Sequence, residues 1–191
     1  MSGSTPETQP TTPLQAALEY AALGWPVIPG AVWHDGRFAD PADEQPVTSP
    51  FLRPIDAATT DPALVREWWS APGLHAPNVL TMTGPGLGAV SVYESLVDAI
   101  VDHRWFSTRP TPVLAIPGMP LAYFLVRPPI PITLPSDEAR VLAEGTTLPL
   151  PPSTIGSRSA TWLVSPEQAG NVLLIGDELA DLIRSLSRKS A

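Results

Sequence analysis

NVLTMTGPGLGAVSVYES, residues 78–95, is the stretch on which the reading of this chain turns. Asn78 to Gly84 is a short apolar run that breaks at a Gly-Pro pair. Gly88 to Tyr93 then alternates, with Ala89, Ser91 and Tyr93 on one face of an extended chain and Val90 and Val92 on the other. Two such runs about one turn predict a hairpin. After Ser95 the apolar period lengthens, because Leu96, Val97, Ile100 and Val101 fall on a helical stripe. A strand that stops at polar residues just before a helix is a common place for carboxylates that hold metal. Only one acid, Glu94, stands at this strand end, and regular alternation puts it on the face opposite Tyr93 and Ser95.

Working outward, PLQAALEYAALG (13–24) places Leu14, Ala17, Leu18, Ala21 and Ala22 on one stripe, with Thr12 as N-cap, Pro13 at the first helical position and Gly24 as the stop. WPVIPG (25–30) reads as a short apolar strand, and Ala31 to Ala57, with three aromatics and four prolines, as a long irregular loop. In TTDPALVREWWSAPG (59–73), Asp61 or Thr60 caps a helix carrying Leu64, Val65, Trp68 and Trp69. PVLAI (112–116) and LAYFLV (121–126), about Gly118-Met119-Pro120, predict a second hairpin. RPPIPITLP (127–135) is an extended connector, since four prolines cannot donate ladder hydrogen bonds. LPLPPSTIGSRSATWLV (148–164) supplies two extended runs about a Pro-Pro-Ser turn. Asp177 caps a last helix through Leu179, Leu182, Ile183 and Leu186, with Arg184, Arg188 and Lys189 near its negative end.

The chain of 191 residues suits one domain, expected over 13–188, behind a Ser/Thr/Pro-rich lead, 1–12, expected to be disordered. Twenty-five prolines favour short elements and rigid turns. A formal charge of −8 opposes a phosphate backbone at long range, so a nucleic-acid partner is disfavoured. With no cysteine, disulfides and thiolate zinc sites are excluded. MSGSTPETQPTTP has neither the basic nor the apolar region of a secretory signal, and no apolar run reaches a membrane span. The expectation is a cytoplasmic protein with no membrane partner.

Local motifs carry little chemistry. His34, His75 and His103 have no metal-motif spacing and read as solvated or packing residues. GPGLG lacks the lysine of a phosphate-cradling loop, so it reads as a turn. Glu94 and Asp98 at helical spacing read as an exposed acidic face, and Trp68-Trp69 as one core and one surface ring.

Taken in order, ALEYAALGWPVIP, ATTDPALVREWW, NVLTMTGPGLGAVSVYES, GMPLAYF and GTTLPLPPS closely resemble the N-terminal domain of the bifunctional DNA primase/polymerase family, over about Leu14 to Trp162. The resemblance implies an α+β fold, mostly antiparallel sheet with flanking short helices. It also implies a metal site. In the family the strand ends in two acids at i and i+2, able to hold two divalent ions for attack on a nucleotide phosphate. Tyr93 and Ser95 occupy those positions here. A histidine that contacts the nucleotide is matched by Leu121, while Tyr123 and Phe124 of the same segment are retained. A third acid falls near Arg140, with Asp137, Glu138 and Glu144 close by, and the Pro151-Pro152-Ser153 turn is intact.

The expectation that follows is a catalytically degenerate domain with no cofactor. It would act as a binding or regulatory module for a protein partner through a cleft bordered by Tyr93, Glu94, Ser95, Leu121, Tyr123, Ser153 and Arg158. Two other readings stay open. One is non-catalytic nucleotide or nucleic-acid binding through Arg109, Arg127, Arg140 and Arg158. The other is an active nucleotidyltransferase using Mg or Mn, with Glu94 joined by Asp98, Asp137 or Glu144.

Overall fold

The structure is a computed structural model that describes residues 11–116, 118–131, 134 and 137–187. Most of the expected disordered lead lies outside the described residues, as do parts of the proline-rich connector and both Arg188 and Lys189. The elements run α1 (Pro13–Ala22), β1 (Val27–Gly30), β2 (Val32–His34), β3 (Arg37–Ala39), α2 (Pro62–Trp69), β4 (Asn78–Met82), β5 (Gly88–Tyr93), α3 (Glu94–Val101), α4 (Arg104–Thr108), β6 (Val113–Ala115), β7 (Leu121–Arg127), β8 (Ala139–Val141), β9 (Thr147–Leu150), β10 (Thr154–Ile155), β11 (Arg158–Ser159), β12 (Thr161–Val164), β13 (Leu174–Ile175) and α5 (Gly176–Ser187).

The helix limits follow from local chemistry. Gln15 N–H donates to the Thr12 hydroxyl at 3.2 Å, and Ala63 N–H donates to the Asp61 carboxylate at 2.8 Å, so both N-caps act as expected. Gly24, at φ +80°, turns the chain after α1 in a conformation that glycine adopts without a Cβ clash. At α5 the expectation needs correction. The helix starts at Gly176, so Asp177 lies inside its first turn, and it is Glu178 that reaches back to accept from Ile175 N–H at 3.3 Å.

A three-stranded antiparallel sheet, β1-β4-β9, faces a larger sheet ordered β12-β6-β7-β5-β8, to which β13 adds in parallel along the end of β7. The alternation in β5 separates two cores. Ala89, with Leu114 and Leu125 of neighbouring strands, packs against Val79, Leu148, Leu150 and the helices α1 and α2. Val90 and Val92, with Phe124 and Val126, pack on the other side against Leu96, Val97 and Ile100 of α3 and Leu179 and Ile183 of α5. Each large apolar side chain buried this way is worth about 1.5–3 kcal/mol, which is why period-two patterning holds the register here.

The hairpin expected of β4 and β5 is not formed. β4 pairs with β1 and β9, β5 pairs with β7 and β8, and a single bridge, Gly84 to Leu87, joins the two runs at the corner. The pattern specifies extended chain, but the partner is chosen by which faces must be buried, and both edges of each strand are already taken. The hairpin of β6 and β7 forms as expected, with Leu114 opposite Tyr123. The long loop expected at Ala31–Ala57 contains a hairpin of its own, β2-β3, turning through Asp35 and Gly36 at φ +46° and +78°. Three further elements, α4, β8 and β13, have no counterpart among the runs expected from the sequence. Trp69 is buried and Trp68 half-buried, as expected of the pair.

Candidate functional site

Neighbouring residues across antiparallel strands share a face, so the register defines what stands beside the end of β5. Ser91 is opposite Tyr123 and Tyr93 is opposite Leu121 on β7, while Ser91 is also opposite Arg140 on β8. Burial falls along this face, from Ala89 and Leu125, buried, through Ser91 and Tyr123, half-buried, to Tyr93, which is 43% exposed. The second sheet covers one end of the face and leaves the other open. Burial also pushes the Tyr123 phenol above its ordinary pKa, because the ionised form is poorly solvated there.

At the open end the backbone changes direction. Tyr93 is the last residue of β5 and the N-cap of α3, so Ser95 stands in the first helical turn and the strand alternation does not extend to it. Glu94 and Asp98 are exposed residues of α3. The Glu94 N–H donates to the Pro120 carbonyl at 3.0 Å, and Tyr93 N–H donates to the Glu138 carbonyl at 2.8 Å. The Ser95 hydroxyl in turn donates to the Glu138 carboxylate. Glu138 is therefore an acid that the fold brings to the strand end, from the position just before β8, an element whose pairing could not be read from the sequence.

Other residues of the expected cleft divide between this end and elsewhere. The guanidinium of Arg158 lies on Gly118, in the turn from β6 to β7, because a Cβ there would come within 3.2 Å of the Arg158 guanidinium carbon. Ser153 is not a cleft residue. It is 2% exposed, the Val79 N–H donates to its Oγ at 2.7 Å, and its hydroxyl donates to the Val79 carbonyl at 2.8 Å. The retained Pro-Pro-Ser turn thus closes the edge of β4, where the chain leaves β9. Of the arginines, Arg140 is on the face of Ser91, whereas Arg109 forms an ion pair with Glu178 of α5 at 3.1 Å, on the opposite side of the large sheet. Glu144 is exposed in the turn between β8 and β9.

Two of the histidines expected as solvated or packing residues, His34 and His75, meet at Glu44. His75 Nε2 is 2.7 Å from Glu44 Oε1, His34 Nδ1 is 3.6 Å from the same oxygen, and the two rings are 6.2 Å apart. The hydrogen bond from His75 holds the Glu44 carboxyl below its ordinary range against the opposing effect of desolvation, with the charges of His34 and His75 acting the same way. Among the described residues this is the one group of three His, Asp or Glu side chains whose ligand atoms all lie within 4.8 Å of one another. No sequence spacing signals it, because the three residues come from β2, a turn and the segment before β4. His103 stands apart as the N-cap of α4, where its Nδ1 accepts from Trp105 N–H at 3.3 Å.

An open cleft of about 300 Å³ lies beside His34 and His75, bounded by Asn78, Pro152 and Thr154. A second, of about 700 Å³, lies by Tyr20, Leu23 and Trp162. Among the described residues no helix is long and apolar enough to cross a membrane.

Two packed layers of sheet with short helices, and an open sheet face ending at the β5–α3 junction, define an α+β domain. The model of the bifunctional DNA primase/polymerase, N-terminal, family matches residues 17–182, and the chain belongs to that family. No curated protein and no solved structure matches the chain.

Proposed function

We propose that this domain keeps the primase/polymerase architecture without its metal-dependent nucleotidyl transfer, and works as a cytoplasmic binding module for a protein partner through the open end of the β5–β7 face. The observation that carries the reading is the donor set at that end. Tyr93 and Ser95 stand where the resemblance implies paired carboxylates, and Leu121 stands where it implies a histidine. Two hydroxyls are poor ligands for magnesium or manganese, and the Glu138 carboxylate is already engaged by Ser95. That set falls short of two divalent ions. Loss of such charge stabilisation is worth several kcal/mol of transition-state energy. Leu121 beside Tyr93, both accessible, gives the same end an apolar and aromatic character suited to a protein contact.

A second reading, an active nucleotidyltransferase with rearranged acids, has the position of Glu138 beside Ser95 in its favour. Primer synthesis and extension with magnesium or manganese separates the two. The pseudoenzyme reading expects no product above that of Glu94→Ala and Glu138→Ala controls; metal-dependent product that both controls lose would overturn it. The docking reading expects Leu121→Asp to lose the proteins that the immobilised wild-type domain retains, with a melting temperature within about 2 °C of wild type. Undiminished capture by that variant would sink it.

A further inference from the structure

We infer that His34, Glu44 and His75 form a binding site for one zinc-class divalent ion, with three protein ligands and a fourth position open to the adjoining cleft. The inference is independent of the proposed function, because it concerns the β2-β3 hairpin with the segment before β4 and a different class of ion.

The donor chemistry selects the metal. Two imidazoles and one carboxylate suit first-row transition ions such as zinc, whereas magnesium and calcium prefer sites made of oxygen. Geometry agrees with the same choice. Bonds of about 2.0–2.2 Å in tetrahedral coordination put ligand atoms roughly 3.3 Å from one another. The separations of 2.7 Å and 3.6 Å from Glu44 Oε1 to the two ring nitrogens bracket that value, and all three ligand atoms lie within 4.8 Å. At 3.6 Å the approach of His34 Nδ1 to the carboxylate is too long for a hydrogen bond. An ion between them would satisfy both. The other ring nitrogen, Nε2, is 3.4 Å from the exposed Asp35 carboxylate, close enough for that carboxylate to act on the charge of the ring without a hydrogen bond.

The ligands are also held in place before any ion arrives. His75 N–H donates to the Pro41 carbonyl at 2.9 Å and Leu74 N–H to the Ala42 carbonyl at 3.3 Å, which fastens the segment before β4 to the turn that carries Glu44. Gly73 permits this approach, since a Cβ there would meet the Ala42 Cα at 3.0 Å. Within the turn, Asp40 N–H donates to the Gln45 carbonyl and Glu44 N–H to the Asp40 carbonyl, both at 2.8 Å, and the Asp40 carboxylate accepts from Ala42 N–H at 2.8 Å. Glu44 itself is at φ +62°, a left-handed conformation that a non-glycine residue keeps only where its surroundings enforce it. The turn that carries Glu44 and the segment that carries His75 are thus bound by their backbones, while β2 brings His34 to the same turn by pairing with β3, which leads into it.

The test uses the full chain without a histidine tag, stripped with chelator and titrated with zinc and, separately, with magnesium. The expected result is one zinc per chain, undisplaced by millimolar magnesium, and an intense visible spectrum of tetrahedral cobalt when cobalt replaces zinc. Zinc at a hundredfold excess over Kd should raise the melting temperature by about 5–10 °C. His34→Ala and His75→Ala should each weaken binding at least about tenfold, and Asp35→Asn to a smaller extent. His103→Ala should leave binding unchanged. Failure of the wild-type chain to take up one zinc, a weak octahedral cobalt spectrum, or wild-type uptake by the His34→Ala/His75→Ala double variant overturns the assignment.

Discussion

Replacing Ser153 with alanine separates a structural from a binding role for the Pro-Pro-Ser turn. The hydroxyl takes the place of a strand partner for Val79, accepting from its N–H and donating to its carbonyl, and both residues are buried. Ser153→Ala leaves a buried donor and a buried acceptor without that partner, and the methyl group that remains cannot admit water in the space of one oxygen. An unsatisfied buried polar group costs about 1–3 kcal/mol, so the pair should lower stability by about 2–4 kcal/mol. For a domain of this size that corresponds to a fall in melting temperature of about 5–15 °C. Urea unfolding followed by tryptophan fluorescence measures it directly, with an unchanged slope confirming that only stability has moved. Thr154→Ala is the matched control, because Thr154 is exposed and contributes its backbone N–H, not its hydroxyl, to Asn78 Oδ1. A loss below about 0.5 kcal/mol in Ser153→Ala, the range of ordinary surface substitutions, would refute the reasoning.

Tyr20 should make the domain sensitive to alkali. Its hydroxyl donates to the Pro151 carbonyl at 2.8 Å and accepts from Trp162 Nε1 at 3.1 Å, and burial pushes its pKa from 10.0 to about 12. The neutral phenol is the form that the fold favours, so its contribution is complete below pH 10 and is lost as pH rises from 10 towards 12, by about 2–3 kcal/mol in all. Tyr20→Phe should flatten that alkaline slope in a series of urea titrations; an unchanged slope would show that Tyr20 is not its source. At the start of α5, a Cβ on Gly176 would come within 2.7 Å of the Pro129 carbonyl oxygen and 2.9 Å of the Ile130 Cα. Gly176→Ala should therefore push the helix off the connector and destabilise by about 1–3 kcal/mol, read by the same titration, and a neutral result would mean that the connector yields.

How much of the fold is legible in the residues depends on the range of the interaction concerned. Thr12 and Asp61 cap helices by bonding backbone groups two or three residues away, so the residues themselves carry the information. The pairing of β6 with β7 was legible because the chain between them is short. The expected pairing of β4 with β5 fails for a related reason: proximity along the chain predicts it, and burial on both faces of two sheets overrules it. Glu138 could not be placed among Asp137, Glu144 and the position of Arg140, because which acid meets Ser95 depends on the register of β8.

By itself the sequence determined the family, the ends of the principal helices and the absence of acids at positions 93 and 95, since each is a matter of residue identity or of contacts within one turn. The tertiary structure alone decided that Ser153 fastens Val79, that Arg109 and Arg140 lie on opposite sides of a sheet, and that His34 and His75 close on Glu44. Those contacts join residues far apart in the chain. Their closure is driven by the burial of two apolar cores, not by any preference of the residues that meet.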